Sequence, residues 1–242
     1  MSCILCNNLV NEWKTFSSRI NVGCPYCNSA ERHRLTALFL KLENINYTKF
    51  LHIAPEFPLQ SIFNSYAKNY ICGDINPERY KKLGAIYLDA TDLQFNDNYF
   101  DCIYASHILE HIIEDKKAIS EMFRTLKPGG KLITMVPQLW NRTTYYDSNI
   151  VTPEERKKEF GQWDHVRIYG TDFSTILKEQ GFYIKVYYLK EKEKDIQKIF
   201  YNEKHIINID DIENNTNVVI PKNNRSKYNL SISDVLYVCV KQ

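Results

Sequence analysis

The chain has 242 residues, enough for one large α/β domain and a small module. With 44% apolar and 25% charged residues it has the composition of an ordinary globular protein, which excludes a disordered or fibrous chain. Lys plus Arg number 31 and Asp plus Glu 29, so the formal charge of +2 supplies no broad field for nucleic acid or membrane. No run reaches the ~18 apolar residues of a membrane span, and the first residues lack a signal-peptide pattern, so a cytoplasmic location is expected.

The N-terminus carries two Cys-x-x-Cys pairs, Cys3/Cys6 and Cys24/Cys27, separated by 17 residues. Each pair turns tightly and presents two thiolates on one side; two such turns complete a tetrahedral sulfur shell. Residues 1–30 are too few to bury a useful core, so structural Zn2+ is expected to stabilise them. The other three cysteines, Cys72, Cys102 and Cys239, sit in apolar strand-like runs and read as core. Ser29 is the expected N-cap of the next helix, whose apolar stripe is Leu35, Leu38, Phe39 and Leu42. Arg32, His33 and Arg34 read as a solvated basic turn at its start.

From there the chain alternates. Strands are expected at 49–54, 69–75, 84–91, 100–108, 131–137, 183–189 and 234–241. Helices are expected from Pro58 to about Ala67, Glu114 to Leu126 and Asp172 to Gln180. The second carries Ala118, Ile119, Met122, Phe123 and Leu126 on one stripe, and Leu126-Lys127-Pro128-Gly129-Gly130 should stop it. This pattern predicts an α/β fold with a mostly parallel, Rossmann-like sheet of seven strands. The last strand, lacking a crossover helix, should be antiparallel. Residues 190–233 form a polar insert expected to be partly disordered.

In such sheets ligands sit beyond the carboxyl ends of the strands. Those ends carry Ala54-Pro55-Glu56, Asp74, Asp89-Ala90-Thr91 and Ser106-His107. With "YFDCIYASHILEHIIEDKKAISEMFRTLKPGGKLITMVP" (99–137), residues 49–137 resemble a class I S-adenosylmethionine-dependent methyltransferase. The chain is also similar to a narrower methyltransferase group that joins a two-pair cysteine module to "LHIAPE" and then to "FGQxDHVRxYG", here "FGQWDHVRIYG" (160–170).

The resemblance implies a methyltransferase domain over 31–242, with S-adenosylmethionine as cofactor. It puts His52 in the place of the usual acid on the first strand. Ala54, Glu56 and Pro58 take the places of three usual glycines. Glycine serves there because no Cβ blocks the methionine part of the cofactor; Ala54 is nearly as small, and Glu56 is expected to meet the cofactor ammonium. Asp74 corresponds to the ribose-binding acid, with Ile75 beside it. Asp89, Ala90 and Thr91 lie where the family contacts adenine. Ser106 and His107 line the floor near the transferred methyl, with His111 one helical turn on.

Residues 138–170 follow the fifth strand and read as a substrate lid, with Tyr145, Trp163, Arg167 and Tyr169 as substrate-facing residues. His107, Asp164 and His165 are the candidate general bases. Near-neutral charge and this aromatic, polar lid favour a small hydroxylated acceptor such as a sugar or nucleotide-linked sugar. An RNA methyltransferase gripping nucleic acid with the zinc module is a second reading, disfavoured because residues 1–35 hold only Lys14, Arg19, Arg32 and Arg34 as cations. A non-catalytic scaffold is the third, motivated by the missing glycines.

Overall fold

The computed structural model describes residues 2–16, 19–43, 46–188, 206–208 and 235–242. It divides into two compact units. The first comprises Met1–Tyr47, Glu56–Asn69 and Val186–Leu236; the second comprises Thr48–Pro55, Tyr70–Lys185 and Tyr237–Gln242.

In the first unit, β1 (Lys14–Phe16) and β2 (Arg19–Gly23) form an antiparallel pair between the two cysteine turns. Then come α1 (Glu31–Glu43) and α2 (Phe57–Tyr66). Leu35, Leu38 and Phe39 on α1 are buried as the stripe predicts, and Leu59 and Phe63 are the buried residues of α2. Within the 190–233 insert, Ile206–Asn208 is described: it forms β11, parallel to Val186–Tyr188. The rest of the insert, on which the expectation of disorder fell, lies outside the described residues.

The second unit is built on the sheet. The sheet's strands, most of whose residues fall in this unit, are β3 (Tyr47–Ile53), β4 (Ala67–Asp74), β5 (Ile86–Tyr87), β6 (Phe100–Ser106), β7 (Leu126–Met135), β10 (Phe182–Tyr188) and β12 (Leu236–Lys241). Their order is β10-β12-β7-β6-β3-β4-β5. The pairs β3/β6, β6/β7 and β4/β5 are parallel, and β12 lies antiparallel to β7. This is the expected Rossmann-like α/β fold, with the antiparallel last strand. The central strands are continuous apolar runs because both sheet faces are covered: Phe50 and Leu51 on β3, Phe100 and Cys102–Ala105 on β6, and Leu132 and Ile133 on β7 are fully buried. Cys72, Cys102 and Cys239 are buried, as read, and burial raises the Cys239 thiol pKa well above its ordinary value.

Two boundaries differ from expectation by more than two residues. The third strand is only Ile86–Tyr87, followed by a bridge between Asp89 and Asp92, because the chain turns back on itself there. Helix α3 (Asp115–Thr125) ends where expected, but Leu126–Gly130 already belongs to β7. Leu126 pairs with Phe100 and Lys131 with Cys102, so a bulge absorbs the Pro-Gly-Gly segment. A Cβ on Gly130 would lie 2.8 Å from the Lys127 carbonyl oxygen, so the bulge requires glycine.

The segment 138–170 is more regular than a loop. It holds β8 (Tyr145–Tyr146) paired antiparallel with β9 (Arg167–Ile168), and α4 (Pro153–Phe160). Thr152 starts α4 with a full capping box to Glu155. Helix α5 (Phe173–Glu179) then runs to the left-handed Gly181. Among the described residues no helix is long and apolar enough to cross a membrane.

Candidate functional site

The two cysteine turns are near copies. Asn7 donates its N–H to the Cys3 carbonyl and Asn28 to that of Cys24; Cys3 N–H reaches the Asn8 carbonyl and Cys24 N–H that of Ser29. Asn7 and Asn28 are left-handed, the conformation asparagine tolerates best after glycine. Cys3 and Cys27 Sγ are 3.7 Å apart, as are Cys6 and Cys24 Sγ, and all four sulfurs lie within 4.8 Å of one another. Sulfurs held tetrahedrally about 2.3 Å from zinc would be about 3.8 Å apart, so the four thiols fit that ion.

Ser29 and the basic run behave differently from expectation. Helix α1 begins at Glu31, and buried Ser29 turns its hydroxyl to the cysteines, 3.2 Å from Cys27 Sγ and 3.5 Å from Cys3 Sγ. Arg34 is fully buried: its guanidinium donates to the Ser29 and Val22 carbonyls and lies 4.4 Å from the centre of the Trp13 ring. His33, also buried, accepts the Ala30 N–H at Nδ1 and donates from Nε2 to Glu56 Oε1 at 2.7 Å. Burial lowers the His33 pKa, with Glu56 opposing, and the Nδ1 lone pair needed for the Ala30 bond agrees with a neutral ring. Arg32 Nε and Nη2 reach the same Glu56 oxygen at 2.9 and 2.6 Å. The run is therefore a largely enclosed tie within the first unit, and Glu56 is the acid that holds Arg32 and His33.

In the second unit, the strand ends present the residues singled out for cofactor binding. Ala54 has a left-handed φ of 51° and donates its N–H to the Gly73 carbonyl. That conformation explains why glycine is favoured at this turn. His52 is fully buried, its Nδ1 2.8 Å from the Tyr70 hydroxyl. Asp74 Oδ1 accepts the Asn76 N–H, while Oδ2 accepts no hydrogen bond among the described residues. Ile75 is exposed. Asp89 Oδ1 accepts from the Thr91 amide and hydroxyl, and Ala90 is buried. The Ser106 hydroxyl is buried, with no hydrogen-bond partner among the described residues. A carboxylate oxygen of Asp74 and the Ser106 hydroxyl, both without hydrogen-bond partners among the described residues, leave polar groups at the strand ends that fit a hydroxylated ligand such as an adenosyl group.

Beyond β6 lies a polar cluster. His107 is left-handed, φ 54°, and its Nδ1 is 3.4 Å from Glu110 Oε1. Glu110 is 1% exposed, and neither carboxylate oxygen has a hydrogen-bond partner among the described residues. The Val166 N–H donates to the Glu110 backbone carbonyl, drawing 160–170 onto this turn. That contact brings His165 against His111, ring centres 4.8 Å apart. His111 Nδ1 donates to the Asp164 carbonyl and His165 Nδ1 to the Phe160 carbonyl. Burial lowers the His165 pKa, with Glu110 opposing, which leaves a neutral imidazole. Sequence reasoning singled out His107, Asp164 and His165, which the fold brings together, and missed Glu110. An acid inside the apolar run Ile108-Leu109-Glu110-His111-Ile112-Ile113 was the signal.

The four residues read as substrate-facing lie in different surroundings. Arg167 is buried and pairs with Asp115, Nη1 to Oδ1 2.5 Å, while Nη2 donates to the Ile112 and Ile113 carbonyls. The Tyr169 hydroxyl, fully buried, donates to Asp115 Oδ2 at 2.6 Å. Both side chains are thus engaged in fastening 109–115. Tyr145 is half-buried beside Phe160 and beneath Arg142, and Trp163 is 62% exposed.

Comparison with known proteins agrees with this fold. Residues 58–134 match the family described as methyltransferase domain. A 50-residue stretch, 21% of the chain, is 46% identical to the ubiquinone/menaquinone biosynthesis C-methyltransferase UbiE of Vibrio cholerae. The match spans only 19% of that relative's length. Among solved structures, a chain of the complex between the Haloferax volcanii Trm112 methyltransferase activator and a methyltransferase superposes with a TM-score of 0.54 at 13% identity, covering 87% of this chain and 89% of that one. An S-adenosylmethionine-dependent methyltransferase from Archaeoglobus fulgidus gives 0.53 at 15% identity, covering 86% and 94%. The family match supports a methyltransferase domain, and the shared architecture is the fold of S-adenosylmethionine-dependent methyltransferases.

Proposed function

We propose that the chain transfers a methyl group from S-adenosylmethionine to an oxygen of a small hydroxylated acceptor, such as a sugar or nucleotide-linked sugar. The observation that carries this reading is the convergence of His107, Glu110, His111, Asp164 and His165 at the end of β6. An alcohol is a poor nucleophile until its proton leaves, and a polar, half-enclosed cluster there answers that need. The bound cofactor would supply an electrophilic methyl on sulfonium. Asp74 would hold the ribose hydroxyls, with Ile75, Asp89, Ala90 and Thr91 around the adenine. Ala54 leaves room for the methionine part, and Ser106 and His107 floor the methyl. His107, one of the two half-exposed imidazoles of the cluster, would take the acceptor proton; Asp164 and His165 line the same place. Tyr145 and Trp163 offer aromatic faces to a sugar ring. The four cysteines hold a structural zinc.

Calorimetric titration of zinc-replete protein with S-adenosylhomocysteine tests this. Micromolar binding is expected, with loss of at least tenfold in Asp74→Ala, followed by label transfer from methyl-labelled cofactor to hydroxylated acceptors. A folded, zinc-replete protein without affinity for the cofactor would overturn the reading.

A further inference from the structure

We propose that Glu110, His111 and His165 form a second metal site, distinct from the cysteines, that takes a divalent transition ion such as Mn2+ or Fe2+. One ligand atom from each of the three lies within 4.8 Å of the other two. Two histidines and one carboxylate are a ligand set that holds such ions with coordination positions left open.

Three features make this a built site. Each imidazole is already oriented. Backbone carbonyls only accept, so the contacts of His111 Nδ1 with Asp164 O and of His165 Nδ1 with Phe160 O place the proton on Nδ1. That leaves the Nε2 lone pair of each ring as the metal-binding atom, the outer-shell arrangement usual for ligating histidines. Second, the carboxylate is waiting for a partner. Glu110 is 99% buried, yet both oxygens lack a hydrogen bond among the described residues. An unpaired buried carboxylate is expensive, and such groups are normally paired or coordinate metals. His107, 3.4 Å from Oε1 without hydrogen-bond geometry, leaves that need largely unmet. Third, the charge suits a cation. Glu110 and Asp164 are not paired with Lys or Arg among the described residues, while nearby Arg167 is neutralised by Asp115.

A role for the ion rests on the methyl-transfer reading above. Open positions on one side would accept two neighbouring oxygens, which favours an acceptor with vicinal hydroxyls. Coordination would acidify one hydroxyl. Its proton passes to His107, and the oxygen forms the new C–O bond to the methyl carbon as the S–C bond of the sulfonium breaks, leaving a neutral thioether. His165 would then be a ligand and His107 the base.

The test uses the full chain with its cysteine site zinc-loaded, and Mn2+ as probe, since Mn2+ competes poorly for thiolates. Electron paramagnetic resonance and calorimetry should find one Mn2+ per chain. Glu110→Gln and His165→Ala should each weaken it at least tenfold, while surface Glu78→Gln leaves it unchanged. Glu110→Gln carries its own folding control: without added metal it should melt higher than the parent, because it removes an unpaired buried charge, yet gain nothing from Mn2+. Retention of no Mn2+, Fe2+ or Zn2+ beyond the cysteine zinc would overturn the proposal, as would Mn2+ binding indifferent to Glu110→Gln. S-adenosylhomocysteine titrated in parallel separates the two ideas: cofactor affinity without a second metal removes only the metal site, and metal without cofactor removes only the methyl-transfer reading.

Discussion

The cysteine module and the cluster beyond β6 both gather metal-type ligands, but they are assembled in opposite ways. In the module, each ligand pair comes from one local turn whose backbone bonds fix both thiols, so Cys3, Cys6, Cys24 and Cys27 were readable from spacing alone. In the cluster, Glu110 and His111 come from the turn after β6 and His165 from a segment more than fifty positions later. Long-range contacts tie them, among them Val166 N–H to the Glu110 carbonyl at 2.8 Å and His111 Nδ1 to the Asp164 carbonyl at 3.3 Å. A local site should therefore fail with its ligand, and a long-range site with its fastening. Loss of zinc is expected to have the largest effect. Cys24→Ser, or chelation, should unfold residues 1–30, seen as collapse of their amide dispersion and loss of the zinc; an intact module after zinc removal would break the comparison. The free energy of such sites is about 10 kcal/mol or more, beyond what the small core of Val10 and Trp13 can replace.

The fastening of the cluster comes next. Arg167 spans Asp115 and the carbonyls of Ile112 and Ile113. Arg167→Ala would leave Asp115 buried and uncompensated, at a cost of about 3–5 kcal/mol. Arg167→Lys should recover only part, because one ammonium cannot span the carboxylate and two carbonyls. Urea denaturation of the two variants measures both, and an unchanged midpoint in the alanine variant would remove Arg167 from the scaffold.

The same contrast explains what was legible. The strands and the helix of 100–137 follow from apolar runs and a helical stripe, both local signals; the helix is legible to within a residue at each end, while β7 starts five residues before the expected 131 because the Pro-Gly-Gly bulge already belongs to the strand. The Arg32-His33-Arg34 run was misread as solvated because its partners are distant in sequence: Glu56, the Val22 carbonyl and the Trp13 ring. Arg167 and Tyr169 look like binding residues in the sequence because only the fold reveals Asp115 beneath them. The third strand was overestimated because Leu88 to Thr91 is apolar enough to pair, but Asp89 folds back on Thr91 instead.

Smaller effects probe the first unit. His33 is neutral when folded and has its pKa lowered, chiefly by burial. The unfolded ring protonates near pH 6.5 while the folded ring resists, so its contribution is fully present above about 6.5 and is lost as pH falls toward the lower folded value. Melting temperature should fall between pH 7 and 5. His33→Gln can keep an acceptor for the Ala30 N–H without titrating, so its curve should be flatter than the parent's. His165, shifted in the same direction, contributes to both curves alike. Parallel curves would mean that the neutral form of His33 is not what the helix start requires.

The smallest expected effect lies at the turn where glycine is missing. Ala54 is held at φ 51°, a conformation costing an L-residue about 1–2 kcal/mol. Glycine there would relieve that strain but gives the unfolded chain more freedom, an offset of about 0.5–1 kcal/mol. Ala54→Gly should therefore be stabilising by roughly 0.5–1 kcal/mol, read as a rise in the urea midpoint at constant slope. A fall would show that the alanine methyl makes packing contacts worth more than the strain. A rise would mean that this chain tolerates strain at its first strand end, a kind of stored cost that clusters at functional sites. His107, left-handed at φ 54° at the end of β6, is its counterpart beside the polar cluster.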